Sequence, residues 1–205
     1  MNRIIIVALL VMVSVPSQLS AADGKIFLGL DFLSSHIGAD DPQPGDPPYA
    51  VYTEEVGAGA GFYFGVSLSS TFKLRLYGSG ASHDTSNPEV ELRISGLTLE
   101  AMYMFSPDDA LRPYLYGGLG GFQSESAHDQ FRFRTDGPGV TFGFGLHYFL
   151  GRDFAFNLGL RGEWINWETA TAELILPDGS SVSANTPVEE SGFAGKFVFG
   201  GSVWF

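Results

Sequence analysis

The sequence predicts an all-β fold, an eight-stranded antiparallel up-and-down transmembrane β-barrel, from three observations. In eight segments, apolar residues alternate with polar or small ones at a period of two, as in strands whose faces meet different surroundings. Charged residues such as Lys73, Arg75 and Lys196 stand at alternate positions of apolar segments, which suits a wall between lipid and a polar interior. Beyond the amino terminus, no segment has the roughly 18 consecutive apolar residues of a helical span. A membrane-spanning chain without such helices must form a closed sheet.

The amino terminus has the pattern of a secretory signal peptide. A basic head at Arg3 precedes the apolar run Ile4–Val15, and the small residues Ser20-Ala21-Ala22 follow. The run is too short to cross a bilayer as a helix, although a membrane anchor is the alternative. We predict that residues 1–22 are a signal peptide cut after Ala22, and that residues 23–205 form the barrel domain.

The composition agrees with a membrane wall and argues against nucleic-acid binding. The 205-residue chain has a formal net charge of −12, and only 17% of its residues are charged, against about 25% in soluble proteins. An acidic chain repels the phosphates of nucleic acids. Because the chain has no cysteine, its stability must come from backbone pairing and packing.

The first two strands are predicted on either side of a proline-rich loop. Strand one, residues 25–34, places Asp31 opposite an apolar face made of Ile26, Leu28, Leu30 and Phe32. Four prolines in residues 36–54 rule out a paired central strand there. Strand two, residues 55–68, alternates apolar residues from Val56 to Leu68 with glycines and polar residues.

The next two strands carry charges on their inner face. Strand three, residues 72–80, follows the turn 69–71 and alternates Phe, Leu and Leu with Lys73, Arg75 and Tyr77. After a polar loop at 81–89, strand four covers residues 90–105 and places Glu100 inward. Its apolar parity changes near Ser95-Gly96, which predicts a β-bulge or the point where the strand leaves the membrane.

The last four strands are predicted between one polar turn and the carboxyl terminus. They cover 112–123, 138–149, 154–167 and the segment 193–205. The connections between them are a loop at 124–137, a turn at 151–153 and a loop at 168–190. One alternative for the last loop is a hairpin, in which residues 172–176 pair with residues 181–185 on either side of Pro177-Asp178-Gly179.

The connections alternate between long loops and short turns. In outer-membrane barrels the short turns face the periplasm, the long loops are extracellular and both termini are periplasmic. A soluble lipocalin-like barrel is the alternative, and it would need the apolar face inside. Aromatic residues near strand ends suit girdles at the membrane interfaces: Tyr103, Tyr148, Trp164, Trp167 and Trp204.

Two stretches are similar to a known family. Arg112–Gly121, with the run Pro-Tyr-Leu-Tyr-Gly-Gly-Leu-Gly-Gly, and Phe197–Phe205, ending in Trp-Phe, resemble the small outer-membrane barrels such as the OmpA transmembrane domain, OmpX and OmpW. The resemblance implies a location in the outer membrane of a Gram-negative-type cell, in contact with lipid and lipopolysaccharide. It also implies that Phe205 is an assembly signal for the barrel assembly machinery. We expect a monomer.

The inward faces predict a polar network inside the barrel. Its members are Asp31, Lys73, Arg75, Tyr77, Glu100, Arg161, Glu163 and Lys196, with His147 beside them. Eight strands leave an interior about wide enough for side chains, so opposite charges should fill it, and glycines 57, 59, 61 and 65 should leave space for Arg75, Tyr77 and Trp204. This predicts a structural or surface-interaction role. A gated, OmpW-like narrow channel for small solutes is the alternative.

The sequence shows no catalytic motif. Some barrels of the resembled fold modify lipid A, and the deacylases among them resemble a His-x-Ser signature. None of His36, His83, His128 and His147 is followed by serine at that spacing, and Ser82-His83-Asp84 is too local to form a relay. We therefore expect no enzyme, no cofactor and no metal site. Acidic loops bridging divalent cations to lipopolysaccharide phosphates are chemically allowed, but no ligand spacing specific to an ion appears.

Overall fold

The computed structural model describes residues 26–38, 53–85, 90–128 and 130–205, with the backbone alone for 53–55. The predicted signal peptide lies outside these residues. The described chain forms eight strands: β1 Ile26–Ile37, β2 Thr53–Ser67, β3 Phe72–Thr85, β4 Glu91–Met104, β5 Leu111–His128, β6 Phe131–Leu150, β7 Phe154–Ile175 and β8 Ser181–Trp204. In the same residues no helix is long and apolar enough to cross a membrane.

The eight strands close into an up-and-down ring. Each strand pairs with its neighbour in the chain, and β1 pairs antiparallel with β8 from Phe27 opposite Trp204 to Ile37 opposite Ala194. The backbone N–H of Phe205 donates to the carbonyl of Ile26 and continues the pairing to the last residue. Closure leaves the spanning part without an open edge, as a sheet in lipid requires.

The apolar face of the ring points outward. In β1, Leu30 and Phe32 are 70% and 72% exposed, whereas Phe27 and Asp31 are buried. The same alternation continues around the ring, and the predicted outer residues of the last segment, from Phe193 to Phe205, are all at least 41% exposed. We call this outer zone the apolar belt. Its position excludes the lipocalin-like alternative, which requires those residues inside.

Three short turns lie at one end of the barrel, together with the start of β1 and the end of β8. They cover residues 68–71, 105–110 and 151–153. We call this the short-turn end. At the other end, which we call the hairpin end, the sequence predicted long loops at 124–137 and 168–190. That prediction is wrong, because β5 continues to His128, β6 starts at Phe131, and β7 and β8 pair until Ile175 meets Ser181.

The extended hairpins confirm the pairing predicted around Pro177-Asp178-Gly179. Ala172 lies opposite Ala184 and Glu173 opposite Ser183, and Gly179 adopts a φ of 83° at the tip, a left-handed value that glycine tolerates without a Cβ penalty. The segments around the tip are polar, but their side chains still point to alternate faces of the sheet. Their backbone N–H and C=O groups are satisfied by hydrogen bonds to the neighbouring strands. Polar composition therefore did not indicate a loop.

The parity change in β4 is not a β-bulge. Pairing runs without interruption from Phe72–Tyr103 to His83–Leu92 on one side and from Glu91–Ala127 to Met104–Tyr114 on the other. Leu92 and Ile94 instead turn inward while Leu97 points outward. The alternative interpretation, that the strand leaves the membrane near Gly96, agrees with this regular pairing.

Candidate functional site

The polar residues predicted to face inward all lie within the lumen. Each of the eight is at most 4% exposed, and His147 is fully buried. They come from six strands, β1, β3, β4, β6, β7 and β8, because every second residue of a barrel strand points inward. The charges are therefore enclosed by backbone and aromatic rings and have little contact with water.

Five of these side chains form one continuous ionic chain. Arg75 Nε lies 2.6 Å from Glu100 Oε2, and Arg161 Nη1 lies 2.6 Å from Glu100 Oε1. Arg161 Nε contacts Glu163 Oε1 at 2.7 Å, and Lys196 Nζ lies 2.7 Å from Glu163 Oε2. Three cations and two anions form this chain, and buried Asp31 and Lys73 add one charge of each sign to the lumen. Ion pairs of this kind offset the desolvation that burial imposes.

Tyrosine rings surround the two arginines. Arg75 Cζ lies 4.5 Å from the centre of the Tyr116 ring and 5.1 Å from that of Tyr77, and Arg161 Cζ lies 4.4 Å from that of Tyr77. Such cation–π contacts are strongest where water is excluded. These rings fill the part of the lumen through which the water and ions of a channel would have to pass.

Three of the four inward glycines of β2 make room for a ring, but only one of these rings belongs to a predicted partner, and Gly59 lies against Ala81. A Cβ at Gly61 would overlap the Tyr77 hydroxyl, which agrees with the prediction. The space at Gly57 is taken by His83 and that at Gly65 by Phe27, and not by Arg75 or Trp204. The prediction of Arg75 there was wrong because Arg75 bends toward Glu100.

Asn157 is a central residue that sequence reasoning missed. Its Nδ2 donates to Asp31 Oδ1 at 2.8 Å and to the Tyr63 hydroxyl at 2.6 Å. Its Oδ1 accepts from His147 Nδ1 at 3.0 Å, so that nitrogen carries the proton, since an amide oxygen only accepts. The only sequence signal was an amide at an inward position of strand seven.

Packed side chains close both ends of the lumen. At the short-turn end, Phe27 and Trp204 stack with ring centres 4.3 Å apart, and Lys73 Nζ donates to the carbonyls of Ser69 and Ser70. Trp204 is 3% exposed, so its prediction as an interfacial girdle residue is wrong. At the hairpin end, an apolar cluster covers the ions: Ile37, Ile94 and Ala194, with Leu92 against it.

One serine and one histidine that are distant in sequence meet inside the barrel. Ser35 Oγ lies 3.2 Å from His83 Nε2. Sequence spacing could not indicate this contact, since 48 residues separate the two. Both side chains are almost fully buried, at 1% and 0% exposure, so a substrate has no access to this pair in this conformation.

The hairpin end carries a second unusual surface. Residues 123–128, 131–137 and 166–192 of β5 to β8 continue beyond the apolar belt as a four-stranded sheet, which we call the blade. On its lumen-side face, Phe131, Phe133 and Val182 are 63%, 51% and 62% exposed. Large apolar side chains open to water in one patch are characteristic of interaction surfaces.

The outer face of the blade is charged. Arg134 makes a bidentate ion pair with Asp136, with Nε–Oδ2 and Nη2–Oδ1 distances of 2.8 Å, and these hydrogen bonds raise the pKa of Arg134. Arg132 Nε lies 3.2 Å from Glu125 Oε1. These groups and Glu173 line a shallow cavity of about 240 Å³. In the described residues, no three His, Asp or Glu side chains are placed to hold a metal ion.

The comparisons with known proteins agree with this architecture. A family model described as the outer membrane protein beta-barrel domain matches residues 5–185. The chain belongs to the outer-membrane β-barrel family. Solved structures of this family type are similar over nearly the whole chain, whereas a search of curated proteins finds no match.

Three of the similar solved structures illustrate the shared fold. Neisserial surface protein A has a TM-score of 0.62 at 12% identity, covering 89% of this chain and 100% of its own. A major outer membrane protein from Thermus thermophilus has a TM-score of 0.62 at 11% identity, with coverages of 88% and 99%. OprG from Pseudomonas aeruginosa has a TM-score of 0.55 at 14% identity, with coverages of 91% and 98%. Identities this low show the fold alone.

Proposed function

We propose that this protein is a closed outer-membrane barrel that displays the blade for contact with a partner outside the cell. The observation that supports this most directly is the exposure of Phe131, Phe133 and Val182 beyond the apolar belt. Burying such residues against a partner would gain about 1.5–3 kcal/mol per side chain. The molecule itself leaves them open to water.

The filled lumen supports an anchoring role and disfavours conduction. Arg75, Glu100 and Arg161 occupy the interior, and packed layers lie on either side of them. Moving ions through this region would require breaking buried ion pairs, and leaving one partner of such a pair without its counter-charge costs about 3–5 kcal/mol. The channel alternative has no comparable observation in its favour.

The proposal includes an orientation. The blade and the hairpin end face the exterior, while the short-turn end and both termini face the periplasm, as is usual for outer-membrane barrels. A protease added to intact cells should then cut within the β7–β8 hairpin before any turn at the other end. Recognition of Phe205 by the assembly machinery stays a prediction.

The proposal is tested by adhesion of cells that express the protein to plates coated with whole serum proteins. The double variant Phe131→Ser/Phe133→Ser should lose the adhesion that the wild type confers. The control Thr171→Ala/Ser183→Ala alters the opposite face of the blade and should retain it. Heat-dependent migration on gels would verify that each variant folds.

Planar-bilayer recordings provide the second arm of the test. Reconstituted wild-type protein should add no discrete conductance steps. Reproducible channels that change with Arg75→Gln would contradict the closed barrel. Equal adhesion of the wild type and the Phe131→Ser/Phe133→Ser variant, or adhesion equal to that of cells without the protein, would contradict the role of the blade.

A further inference from the structure

The lipid-facing wall of β2, β3 and β4 contains a groove of about 450 Å³. Its lining includes Ala60 and Gly80, which leave space above the backbone, and the side chains of Leu30 and Leu97. The Phe62 ring covers Gly78 and forms one side of the groove. The groove lies on the outside of the barrel, within and just above the apolar belt. It is separate from both the lumen and the blade.

The strand register explains why the groove exists. Gly78 is paired with Phe62 on one side and Leu97 on the other, so two large side chains border a position without one. Gly80 is paired with Ala60 and Ser95, which are both small. A Cβ added at Gly80 would meet nothing closer than the Ser95 Cβ at 4.0 Å, so the space above it is open.

The occupant of the groove follows from its surroundings. In the apolar belt the medium is hydrocarbon, because an outer-membrane barrel exposes this band to lipid. An unfilled groove would lose dispersion contacts along its whole lining. A flexible acyl chain can enter a groove bordered by Phe62 and Leu97.

A cation stands at the hairpin end of the groove. Arg93 is exposed on the outward face of β4 and is paired with Ser82 of β3. It lies four residues beyond Leu97, about 13 Å along the strand at the usual rise. On its other side, Arg93 lies opposite Glu125 in the strand register, and the carboxylate of Glu125 contacts Arg132. A guanidinium at the edge of the belt suits a lipid phosphate, which it can bind through two hydrogen bonds.

We propose that this groove binds one acyl chain of lipid A and that Arg93 binds one of the phosphates of the same molecule. The choice of lipid A rests on the orientation given under the proposed function, which places the hairpin end in the outward-facing leaflet. The groove and the arginine together select a phosphorylated, multiply acylated lipid over a zwitterionic one.

The test is native mass spectrometry of the full protein in detergent, titrated with diphosphoryl lipid A, phosphatidylglycerol or phosphatidylcholine. The wild type should retain one lipid A molecule in preference to the other two lipids. Gly80→Leu should weaken that binding by about tenfold, since displacing even two methylenes from the groove has an effect of this size. Gly195→Leu is the matched control: this outward glycine on β8 has open space, with its nearest neighbour at 3.8 Å.

A second variant separates the headgroup from the chain. Arg93→Gln should lower the preference for diphosphoryl lipid A over phosphatidylcholine by about threefold to tenfold, while one lipid stays bound. Equal binding by Gly80→Leu and Gly195→Leu would overturn the proposal. So would a preference for phosphatidylglycerol, or a wild-type dimer that Gly80→Leu converts to a monomer. These readouts do not depend on adhesion or conductance, so the proposed function can fail independently.

Discussion

Strand β6 passes from the apolar belt into the blade. Its outward face is apolar in the belt and charged in the blade, and its inward face changes in the opposite sense. Within the apolar belt, Val140, Phe142 and Phe144 point outward, and Thr141 and His147 point into the lumen. In the blade, the outward positions 132, 134 and 136 are Arg, Arg and Asp, while the inward positions 131 and 133 are Phe. The side-chain alternation continues, but its polarity inverts. The medium outside the strand, lipid in one part and water in the other, accounts for the inversion.

Strand β4 inverts in the same way on the other side of β5. Leu97 and Leu99 point outward in the belt, whereas Glu91 and Arg93 take the outward positions beyond it and Ile94 points inward. In two strands the change occurs without a break in pairing to β5. The inversion therefore locates the edge of the membrane at the hairpin end more sharply than the end of any strand does.

The two regions also differ in what their charges contribute. Ion pairs in the lumen are fully enclosed, so removing one partner leaves the other charged and unsolvated. Pairs on the blade are partly exposed and screened by water and salt. Substitutions of the same kind in the two regions should therefore have very different effects.

The largest difference in stability between the two regions is expected when a glutamate in each is replaced by glutamine. Glu100→Gln leaves Arg75 and Arg161 without their shared carboxylate and should lower the free energy of unfolding by about 3–5 kcal/mol. Glu125→Gln on the blade removes one of the two carboxylates near Arg132 and should lower the free energy of unfolding by about 0–1 kcal/mol. Urea unfolding in lipid vesicles, followed by tryptophan fluorescence, measures both values.

This comparison would fail if the two variants were equally stable. A loss below about 1 kcal/mol for Glu100→Gln would mean that water reaches the ionic chain. Restoration of stability by the double variant Glu100→Gln/Arg161→Gln would instead support the enclosed network, since it removes one unpaired cation together with the carboxylate.

A smaller contrast is expected between two asparagines. Asn157→Ala removes hydrogen bonds to Asp31, Tyr63 and His147 and should cost about 1–3 kcal/mol of unfolding free energy. Asn185 is exposed on the blade, so Asn185→Ala should change the free energy of unfolding by less than about 0.5 kcal/mol. The same urea unfolding experiment measures both variants. Equal losses of unfolding free energy in Asn157→Ala and Asn185→Ala would show that Asn157 is not central to the lumen.

The smallest effect concerns the tip of the β7–β8 hairpin. The backbone N–H and the hydroxyl of Ser180 donate to Asp178 Oδ1 and lower the pKa of this carboxyl below its ordinary value of 3.8. A lowered folded-state pKa stabilises the tip at pH values above the unfolded pKa, and this contribution disappears as the pH falls through the folded value. A carboxyl NMR titration in micelles should therefore give a midpoint below 3.8, and Ser180→Ala should raise it. A midpoint at or above 3.8 in the wild type would contradict the contact.

The sequence was informative wherever the lipid imposed a pattern. Alternation in segments such as 193–205 predicted the outward face, and charges such as Arg75 and Glu163 predicted the inward one, because only a polar interior tolerates them in an apolar strand. Apart from the hairpin at 172–185, the blade was predicted as loops, since its polar residues and glycines are common in both strands and loops. The length of a strand in water depends on cross-strand partners that a single segment does not reveal.

Within the lumen, the sequence indicated which side chains face inward but not which ones meet. Ser35 and His83, or Asn157 and Asp31, are brought together by closure of the ring and by its register. Trp204 could face lipid or lumen by composition alone, and its parity with Lys196 and Ser202 was the available signal. A shift of one residue in register would reverse every such assignment.

The most direct test of the inverted faces is a nitroxide scan along β6 in lipid vesicles, with single cysteines introduced at positions 131 to 148. The native chain has no cysteine, so each label is unique. Even positions from 140 to 148 should be accessible to oxygen dissolved in lipid, and even positions from 132 to 136 to a water-soluble nickel reagent. Labels at 131 and 133 should also be accessible to nickel. Oxygen-dominated accessibility at positions 132 to 136, or at the odd positions 141 to 147, would contradict this account.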